Sequence, residues 1–380
     1  MLRSTADALV IGGGLHGLSA ALQLARRGAK VIILERRRVG RHSSGASAAG
    51  VRTLNRARAE LGVSLSAMEM WHEIEELVRD DCGFHADGQL QIAETETELA
   101  KLVARVEGLR RDGFSHEEIV DAAVIRALVP AISPHCIGGA FARRDGAADP
   151  HRTLAAFLRA ALAAGVSVYE GTPASQLSRH SGVWRVGHQG DWFEAPLLVN
   201  AAGAWAGEIA ALAGDHIPLE TKASMMIVTE RVAPFVRPTV STVGRKLSFK
   251  QTSQGTILIG GGQQGRPNLA EETSEVDVRA LAKPAAAAIA LFPSVGSLRI
   301  VRSWAGLEAK TSDNIAVAGL SPSVPGLMHL FGFSGHGFQL VPALGLAAAE
   351  LLLEGRTRFD LSGLTPERFM NSAIEYRQAH

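Results

Sequence analysis

The sequence predicts an α/β protein that combines a Rossmann-type nucleotide-binding domain with an α+β domain carrying an antiparallel sheet. Three observations predict it. A complete βαβ unit stands near the start, apolar strands run into glycine turns around residues 197–205 and 327–337, and alternating strands fill residues 217–300. The length of 380 residues exceeds the usual size of one domain and favours two.

The βαβ unit runs from Ala6 to Glu35. After its first apolar strand, Gly12, Gly14 and Gly17 occupy the positions for a tight turn, the close approach of a pyrophosphate and helix–strand packing. The second strand ends at Glu35, about 20 residues further on, where a carboxylate can accept a hydrogen bond from a ribose hydroxyl. A lone glycine motif would be weak, but the complete unit predicts a dinucleotide site.

Charge and composition narrow the classes of partner. The net charge is +1, with 39 basic and 38 acidic residues, so no overall field attracts nucleic acid or an anionic membrane. The densest basic run, 36–38, is too short for a nucleic-acid patch, although Arg36 could lie near the adenosine end of a nucleotide. We therefore expect a small-molecule substrate and no nucleic acid.

Only two cysteines are present, Cys82 and Cys136, and they lack Cys-x-x-Cys spacing. Neither a disulfide framework nor a zinc or iron–sulfur site is predicted, and a reducing cytoplasm is the expected location. The most apolar late segment, Leu340 to Leu353, is too short to span a bilayer and carries Glu350. No signal architecture or transmembrane segment is predicted, and peripheral membrane association stays open.

A run of small residues and hydroxyls, 40–50, follows the second strand. It can lay its backbone against a flat cofactor, with Ser43 and Ser44 donating to a phosphate. Arg52 or Arg56 would then face the reactive end. A plain linker is the alternative reading of this loop.

The rest of the chain divides between the two predicted domains. The nucleotide-binding domain comprises residues 1–88, 138–216 and 300–380, and the substrate domain comprises residues 89–137 and 217–299. Hydrophobic periodicity predicts helices and strands at the following positions: helices 65–78, 99–109, 276–292 and 340–353, and strands 89–93, 138–142, 223–229, 246–251 and 256–261.

The last glycine-rich turn, Gly332 to Gly337, immediately precedes the helix that ends at Leu353. Backbone N–H groups and the positive end of that helix would point at a bound anion or polar ring edge. His336 lies within this turn, and its place among glycines favours a positioning role over acid–base work.

Together these segments resemble the D-amino-acid oxidase superfamily of flavoenzymes, in its glycine oxidase and sarcosine oxidase branch. Four anchors carry the resemblance: the βαβ unit with Glu35, the loop Ser43–Ser47, the segment Asn200–Trp205 and the turn Gly332–Phe338. The resemblance implies FAD, bound by a glutathione-reductase-like domain, and an amine substrate that is often an amino acid. It also implies hydride transfer from the carbon bearing nitrogen to flavin N5, leaving an imine that hydrolyses.

The resemblance assigns FAD contacts to residues of these anchors and of nearby turns. They are Gly12, Gly14, Leu15, His16, Gly17, Glu35, Arg36, Ser43, Ser44, Ala46, Ser47, Ala174, Ala202, Gly203, Trp205, Gly306, Gly332, Gly335, His336, Gly337, Phe338 and Gln339. Donors at the last turn would face the pyrimidine edge of the flavin, which becomes anionic on reduction.

Three positions depart from the family pattern. Glu308 stands where relatives carry an arginine for the substrate carboxylate, and Gln339 stands where monomeric sarcosine oxidase carries a lysine. Gly306 occupies the place of that enzyme's flavin-linked cysteine, so FAD is expected to be non-covalent. The familiar carboxylate contacts are therefore missing.

The substrate contacts must come from other residues. The cations on segments expected near the flavin are Arg52, Arg56, Lys250, Arg302 and Lys310. Arg52 is the first choice, and Glu308 is expected to meet a cationic group, as in an arginine-derived opine. The predicted catalytic set is Arg52, Glu308, His336 and Gln339.

The motifs around residues 306–308 and 331–340 also resemble the catalytic subunits of dye-linked dehydrogenases for opines, D-hydroxyproline and L-proline. Such relatives pass electrons to partner subunits with further flavin or iron–sulfur centres, so partner subunits are expected here. Two other functions stay open: a flavin-dependent 2-hydroxy-acid dehydrogenase with His336 as base, and a flavin subunit that only relays electrons.

Overall fold

The computed structural model describes residues 3–370, and the remaining ends of the predicted first domain, 1–2 and 371–380, lie outside the described residues. Strands β1 to β22, in chain order, are Arg3–Thr5, Ala8–Ile11, Val31–Leu34, Gly50–Val51, Gln89–Ala93, Glu118–Asp121, Gly138–Ala142, Gly146–Ala147, Ser167–Tyr169, Gln176–His180, Val183–His188, Asp191–Ala195, Leu197–Asn200, Leu219–Arg231, Thr239–Thr242, Ser248–Gln251, Thr256–Gly260, Arg266–Asn268, Thr273–Glu275, Ile300–Thr311, Val317–Leu320 and Leu327–Phe331. Helices α1 to α9 are Leu15–Arg26, Arg58–His72, Ile74–Val78, Glu96–Arg111, Ala122–Leu128, Pro150–Ala163, Ala206–Leu212, Ala282–Leu291 and Val341–Glu354.

A six-stranded sheet carries the nucleotide-binding motif. Its order is β21-β22-β13-β2-β3-β9, and every pair is parallel except β21 with β22. The central strand β2 is apolar and wholly buried, as a strand covered on both faces must be. Helices α1 and α9 pack against each other in the core beside this sheet. The predicted Rossmann-type α/β architecture is confirmed.

An eight-stranded sheet forms the second large layer, in the order β20-β14-β17-β16-β15-β5-β7-β6. All neighbours are antiparallel except β15 with β5, so the predicted antiparallel sheet is confirmed. Its core includes Phe249 and Phe292, whose ring centroids lie 4.3 Å apart. Strands β7 and β20 belong to this sheet, although the predicted boundaries at residues 138 and 300 assign them to the nucleotide-binding domain.

A small four-stranded sheet, β1-β12-β11-β10, lies over the opposite face of the parallel sheet. Trp184 and Phe193 of this sheet pack with Leu9 and Ile32 of the parallel strands in one buried cluster. The antiparallel pair β11–β12 thus covers the nucleotide-binding layer.

Some element bounds differ from the prediction. The helix predicted over 65–78 is two helices, because Glu73 leaves helical geometry at φ −112° and ψ 21°. The helix predicted over 276–292 starts only at Ala282, and strand β14 is longer than the predicted 223–229. Within residues 3–370, no helix is both long and apolar enough to cross a bilayer.

Candidate active site

Two adjoining cavities form one cleft at the carboxyl ends of β2, β3 and β13. The smaller has a volume of about 150 Å³ and the larger about 810 Å³. His16, Ser44 and Phe333 line both, so the two cavities meet end to end. In open α/β sheets this edge is where ligands bind.

The glycines of the first turn shape the smaller cavity. A Cβ on Gly12, which has φ +110°, would lie 2.3 Å from the carbonyl oxygen of Ala201, and one on Gly17 would lie 2.0 Å from that of Gly12. Both positions therefore require glycine for backbone packing. Gly14 differs, since the nearest atom to its Cβ would be Ser44 Oγ at 3.1 Å, and its backbone stays open to the cavity.

Glu35 lies at the end of β3 and lines the smaller cavity. Its Oε2 accepts from the Gly13 amide at 2.7 Å and its Oε1 from the Arg37 amide at 2.8 Å. Burial raises the pKa of the carboxyl group, opposed by these bonds. The carboxylate is held in place beside the glycine turn, as ribose recognition requires.

Arg36 and Trp205 form the outer wall of the smaller cavity. The guanidinium carbon of Arg36 lies 4.1 Å from the centroid of the Trp205 ring, within cation–π range. Ala174, Ala202 and Gly203 line the same cavity. The predicted nucleotide contacts therefore converge, although they come from four separate segments of the chain.

Strand β20 contacts the small-residue loop 43–50 and holds it in place. Trp304 Nε1 donates to the carbonyl oxygen of Ala46 at 3.0 Å, and a Cβ on Gly306 would approach the Cβ of Ala46 to 2.5 Å. Position 306 therefore has no room for a cysteine. The sequence analysis did not single out Trp304. Two features could have indicated its role: an indole N–H needs an acceptor when it is buried, and the residue lies two positions before a glycine.

Most of the predicted residues line the larger cavity. They are Leu15, His16, Ser43, Ser44, Ala46, Ser47, Arg52, Gly203, Gly306, Glu308, Gly332, Gly335, Gly337 and Phe338. They come from α1, the loop after β3, the segment after β13, β20 and the last glycine turn. The cavity lies between the parallel sheet and the eight-stranded sheet.

His16 joins the first helix to the last glycine turn. Its ring stacks on Phe333 with centroids 3.7 Å apart, and its Nε2 donates to the carbonyl oxygen of Gly337 at 3.0 Å. Burial lowers the pKa of His16 to about 3, so the ring is neutral. Because Nε2 carries the proton, Nδ1 is an acceptor, and it has no partner among the residues 3–370.

The cleft fits FAD on these observations. The glycine cradle and Glu35 suit the adenosine and pyrophosphate half, and the larger cavity offers room for a flat ring beyond it. The unpartnered Nδ1 of His16 is buried at the junction of the two cavities, where a hydroxyl of a bound dinucleotide could donate to it.

His336 does not line either cavity. Its Nδ1 lies 3.8 Å from Glu60 Oε2 behind the turn. Burial, with the nearby charges of Arg56 and Arg52, lowers the pKa of His336 to about 2. The imidazole is therefore neutral and turned away from the space where a substrate would sit.

Gln339 is also placed behind the turn, with no exposed surface. Its Oε1 accepts from Arg56 Nη2 and from Ser64 Oγ, both at 3.0 Å, and its Nε2 donates to the carbonyl oxygen of Ser64 at 2.7 Å. These bonds fasten the start of α9 to α2. The structure does not bring the predicted catalytic residue Gln339 to the cavity.

Of the five predicted cations, some line the larger cavity and others lie away from it. Arg56 pairs with Glu60 at 3.4 Å in the core, and Lys250 Nζ donates to the carbonyl oxygen of Ala148 at 3.3 Å, where burial lowers the pKa of the lysine to about 8. The Arg302 guanidinium lies beside its neighbour Trp304. Of the five, Arg52 and Lys310 line the larger cavity.

Arg52 is positioned by a buried carboxylate that sequence reasoning missed. Asp145 accepts from the Thr53 amide at 2.8 Å on both oxygens and from the Leu54 amide at 2.8 Å. Arg52 Nη1 donates to the carbonyl oxygen of Leu54 at 2.6 Å. The backbone after the small-residue loop is thus rigid where Arg52 meets the cavity.

Glu308 reaches the cavity wall from β20. One oxygen is hydrogen-bonded to Ser224 Oγ, which also accepts from Gln264 Nε2 at 3.2 Å. Burial raises the pKa of the Glu308 carboxyl group, opposed by the Ser224 bond and by Lys222. The side chain also lies beside the last glycine turn, since a Cβ on Gly335 would be 3.7 Å from Glu308 Oε2.

A glycine-lined dinucleotide cleft that widens into a cavity with fixed charges serves redox chemistry on a small molecule. Fold and site together therefore define a dinucleotide-dependent oxidoreductase. Residues 7–351 match the family described as FAD dependent oxidoreductase (DAO), and the chain belongs to that family. The resemblance drawn from the sequence, the enzyme class and FAD as cofactor are confirmed.

The relatives and solved structures agree with this family. Human mitochondrial sarcosine dehydrogenase is 27% identical over 99% of this chain, but the chain spans only 42% of that protein. One of the subunits of the opine oxidase of Agrobacterium tumefaciens is 26% identical, with 96% of this chain and 97% of the relative covered. The crystal structure of L-proline dehydrogenase from P. horikoshii superposes with a TM-score of 0.91 at 26% identity, covering 98% and 99% of the two chains.

Proposed function

We propose that the chain oxidises the C–N bond of an amino or imino acid of the secondary-amine, opine or D-amino-acid type. Bound FAD would supply the chemistry by accepting a hydride from the carbon that bears nitrogen, which leaves an imine that water hydrolyses. The observation that carries the proposal is Glu308, a carboxylate on the wall of the larger cavity that is suited to an amine.

The chain's own residues would hold FAD without a covalent link. Gly14 and Glu35 would receive the pyrophosphate and ribose, and the amides of the last glycine turn, Gly332–Gly337, would face the ring. Gly306 supports the non-covalent mode, because it has neither a thiol nor space for one.

Arg52 and Glu308 would orient the substrate. Arg52 offers a fixed cation at one wall, and Glu308 offers an anion at another. No strong base is needed, since an amine can enter the site deprotonated. The protein then orients the substrate and excludes water from the site.

The 2-hydroxy-acid reading is less well supported. Removing a hydride from an alcohol calls for a group that takes the hydroxyl proton, and His336 was the candidate. Its ring faces Glu60 behind the turn. The electron-relay reading is disfavoured by the larger cavity, which provides room for a substrate of its own.

Partner subunits that carry further redox centres are part of the proposal. The Agrobacterium tumefaciens relative supports it, because the name of that protein describes one member of a multi-subunit opine oxidase. The cysteines of this chain, Cys82 and Cys136, are buried and free, so neither is placed to ligate a cluster.

Anaerobic mixing of the FAD-loaded protein with a panel of amines and hydroxy acids tests the function. We expect loss of flavin absorbance with at least one amino or imino acid and none with 2-hydroxy acids. Loss with a hydroxy acid and with no amine would overturn the proposal, and no loss with either class would favour the electron-relay reading.

A further inference from the structure

The strand pair β14–β20 presents an ordered row of charges to the larger cavity. In its register Ser224 lies opposite Gly306, Lys222 opposite Glu308 and Glu220 opposite Lys310. Because side chains alternate along a strand, Gly306, Glu308 and Lys310 share one face. Lys222, Ser224 and these three residues all line the cavity.

The two lysines of this row are weakly paired. Lys222 Nζ lies 3.9 Å and Lys310 Nζ 4.0 Å from the same oxygen of Glu220. The Glu220 side chain is 66% exposed, whereas each lysine side chain is 24% exposed. One solvated carboxylate thus serves two half-buried amines, and burial and Lys310 lower the pKa of Lys222. Glu308 also lies near Lys222, so the row holds two lysines and two carboxylates, and the exposed Glu220 is the carboxylate that a substrate anion could replace at the lysines.

The order of the charges along β20 gives the row a direction. Gly306 touches the small-residue loop at Ala46, Glu308 comes next, and Lys310 lies furthest from that loop. Alternate residues of a strand are about 6.6 Å apart. That spacing suits an amino or imino acid whose neutral amine donates a hydrogen bond to Glu308 and whose carboxylate reaches the lysines.

We propose that Lys222 and Lys310 bind the substrate carboxylate while Glu308 binds its amine, so that this wall recognises an amino or imino acid with nitrogen towards the cofactor loop. The inference rests on the proposed function and names its specificity-determining residues. Arg52, by contrast, already donates to carbonyl groups of its own segment.

The first test is carboxylate binding, which needs no turnover. Propanoate is titrated into FAD-loaded protein and followed by the flavin difference spectrum. We expect K222Q and K310Q each to raise the dissociation constant about tenfold, and the double variant about a hundredfold, as for lost charge-assisted bonds.

E308Q removes a nearby negative charge and should tighten propanoate binding. K101Q, on the exposed face of α4, is the matched control and should bind as wild type.

The second test is kinetic and uses the amine identified by the anaerobic panel together with its carboxamide. The lysine variants should raise KM for the acid about tenfold with kcat within about threefold, and should leave KM for the carboxamide unchanged. Unchanged propanoate binding in the double variant, or equal losses for acid and carboxamide, would overturn the inference. If no amine reduces the flavin, the proposed function fails, and the propanoate titration still decides the role of the lysines.

Discussion

At the scale of single residues, the site depends on which face of a turn a side chain occupies. Gly12, Gly17 and Glu35 could be assigned from the sequence, because each acts within a local βαβ unit whose geometry is fixed. His336 and Gln339 lie in an equally recognisable motif, but their direction depends on contacts with α2 that no local pattern encodes. Lys222 was missed for a similar reason, since only the β14–β20 register brings it opposite Glu308.

Glu308 should make stability depend on pH. Burial raises its folded-state pKa, so folding favours the protonated form, and its ionisation destabilises the protein as pH rises through the range between the unfolded and folded pKa values. E308Q removes that effect. We expect the variant to melt a few degrees above wild type at neutral pH and with no difference at pH 4. A lower melting temperature for E308Q at neutral pH would show that the carboxylate is net stabilising.

Gln339 should prove structural. Q339L would leave Arg56 Nη2 and Ser64 Oγ without their acceptor in the core, and we expect a loss of about 2–4 kcal/mol in unfolding free energy. Q339E keeps the acceptor for Arg56 and Ser64 Oγ but loses the donor to the Ser64 carbonyl oxygen, so it should also be less stable than wild type while the folded protein retains its FAD and substrate kinetics. Urea denaturation measures the loss of stability in each variant, and kinetic measurements on the same variants show whether catalysis also changes. A stable Q339L with greatly reduced kcat would instead assign the residue to catalysis.

At the scale of elements, the cleft is assembled by strands that hold loops in place. Sequence periodicity predicted β2, β3, β13 and the last helix well, because each is apolar over most of its length. The contact between β20 and the small-residue loop could not be predicted, because 258 residues separate Trp304 from Ala46. Loops of small residues have little shape of their own, so their conformation is set by such distant donors.

Trp304 is therefore expected to control how tightly the protein holds FAD. W304F keeps an aromatic ring, although a smaller one, and removes the Nε1 donor to the Ala46 carbonyl, so the loop 43–50 loosens. We expect the dissociation constant for FAD to rise about five- to tenfold, the loss of about one net hydrogen bond. W192F in the small covering sheet is the control. Equal FAD affinity in W304F and wild type would show that the loop needs no such support.

At the scale of the whole molecule, the hairpin β18–β19 connects the two large layers, since it contacts β14 and β20 and the segment after β3. Its Glu272 lies 2.7 Å from Arg37 Nε and 3.3 Å from Arg36 Nε, both on the segment after β3. Leu269 of the same hairpin packs with Trp205 and Leu307. Residues that line the smaller cavity are thus held by a piece of chain that the sequence placed in the substrate domain.

E272Q should speed the release of FAD. Losing the ion pairs with Arg36 and Arg37 frees the hairpin, and because exposed pairs are weak, we expect an increase in the dissociation rate of about two- to fivefold. Raising the salt concentration should speed release from wild type more than from E272Q. A wild-type rate that is independent of salt and equal to that of E272Q would mean that the hairpin does not retain the cofactor.

The central claim, oxidation of a C–N bond at this cleft, is tested most directly by a single anaerobic turnover with product analysis. FAD-loaded protein is mixed with the amine that reduces it, and carbonyl product, released amine and reduced flavin are counted. We predict, for each flavin reduced, one imine or the carbonyl and amine groups into which it hydrolyses, which stay in one molecule when the substrate is a cyclic imino acid. Flavin reduction that forms neither an imine nor a carbonyl at the carbon that bore nitrogen would contradict that claim.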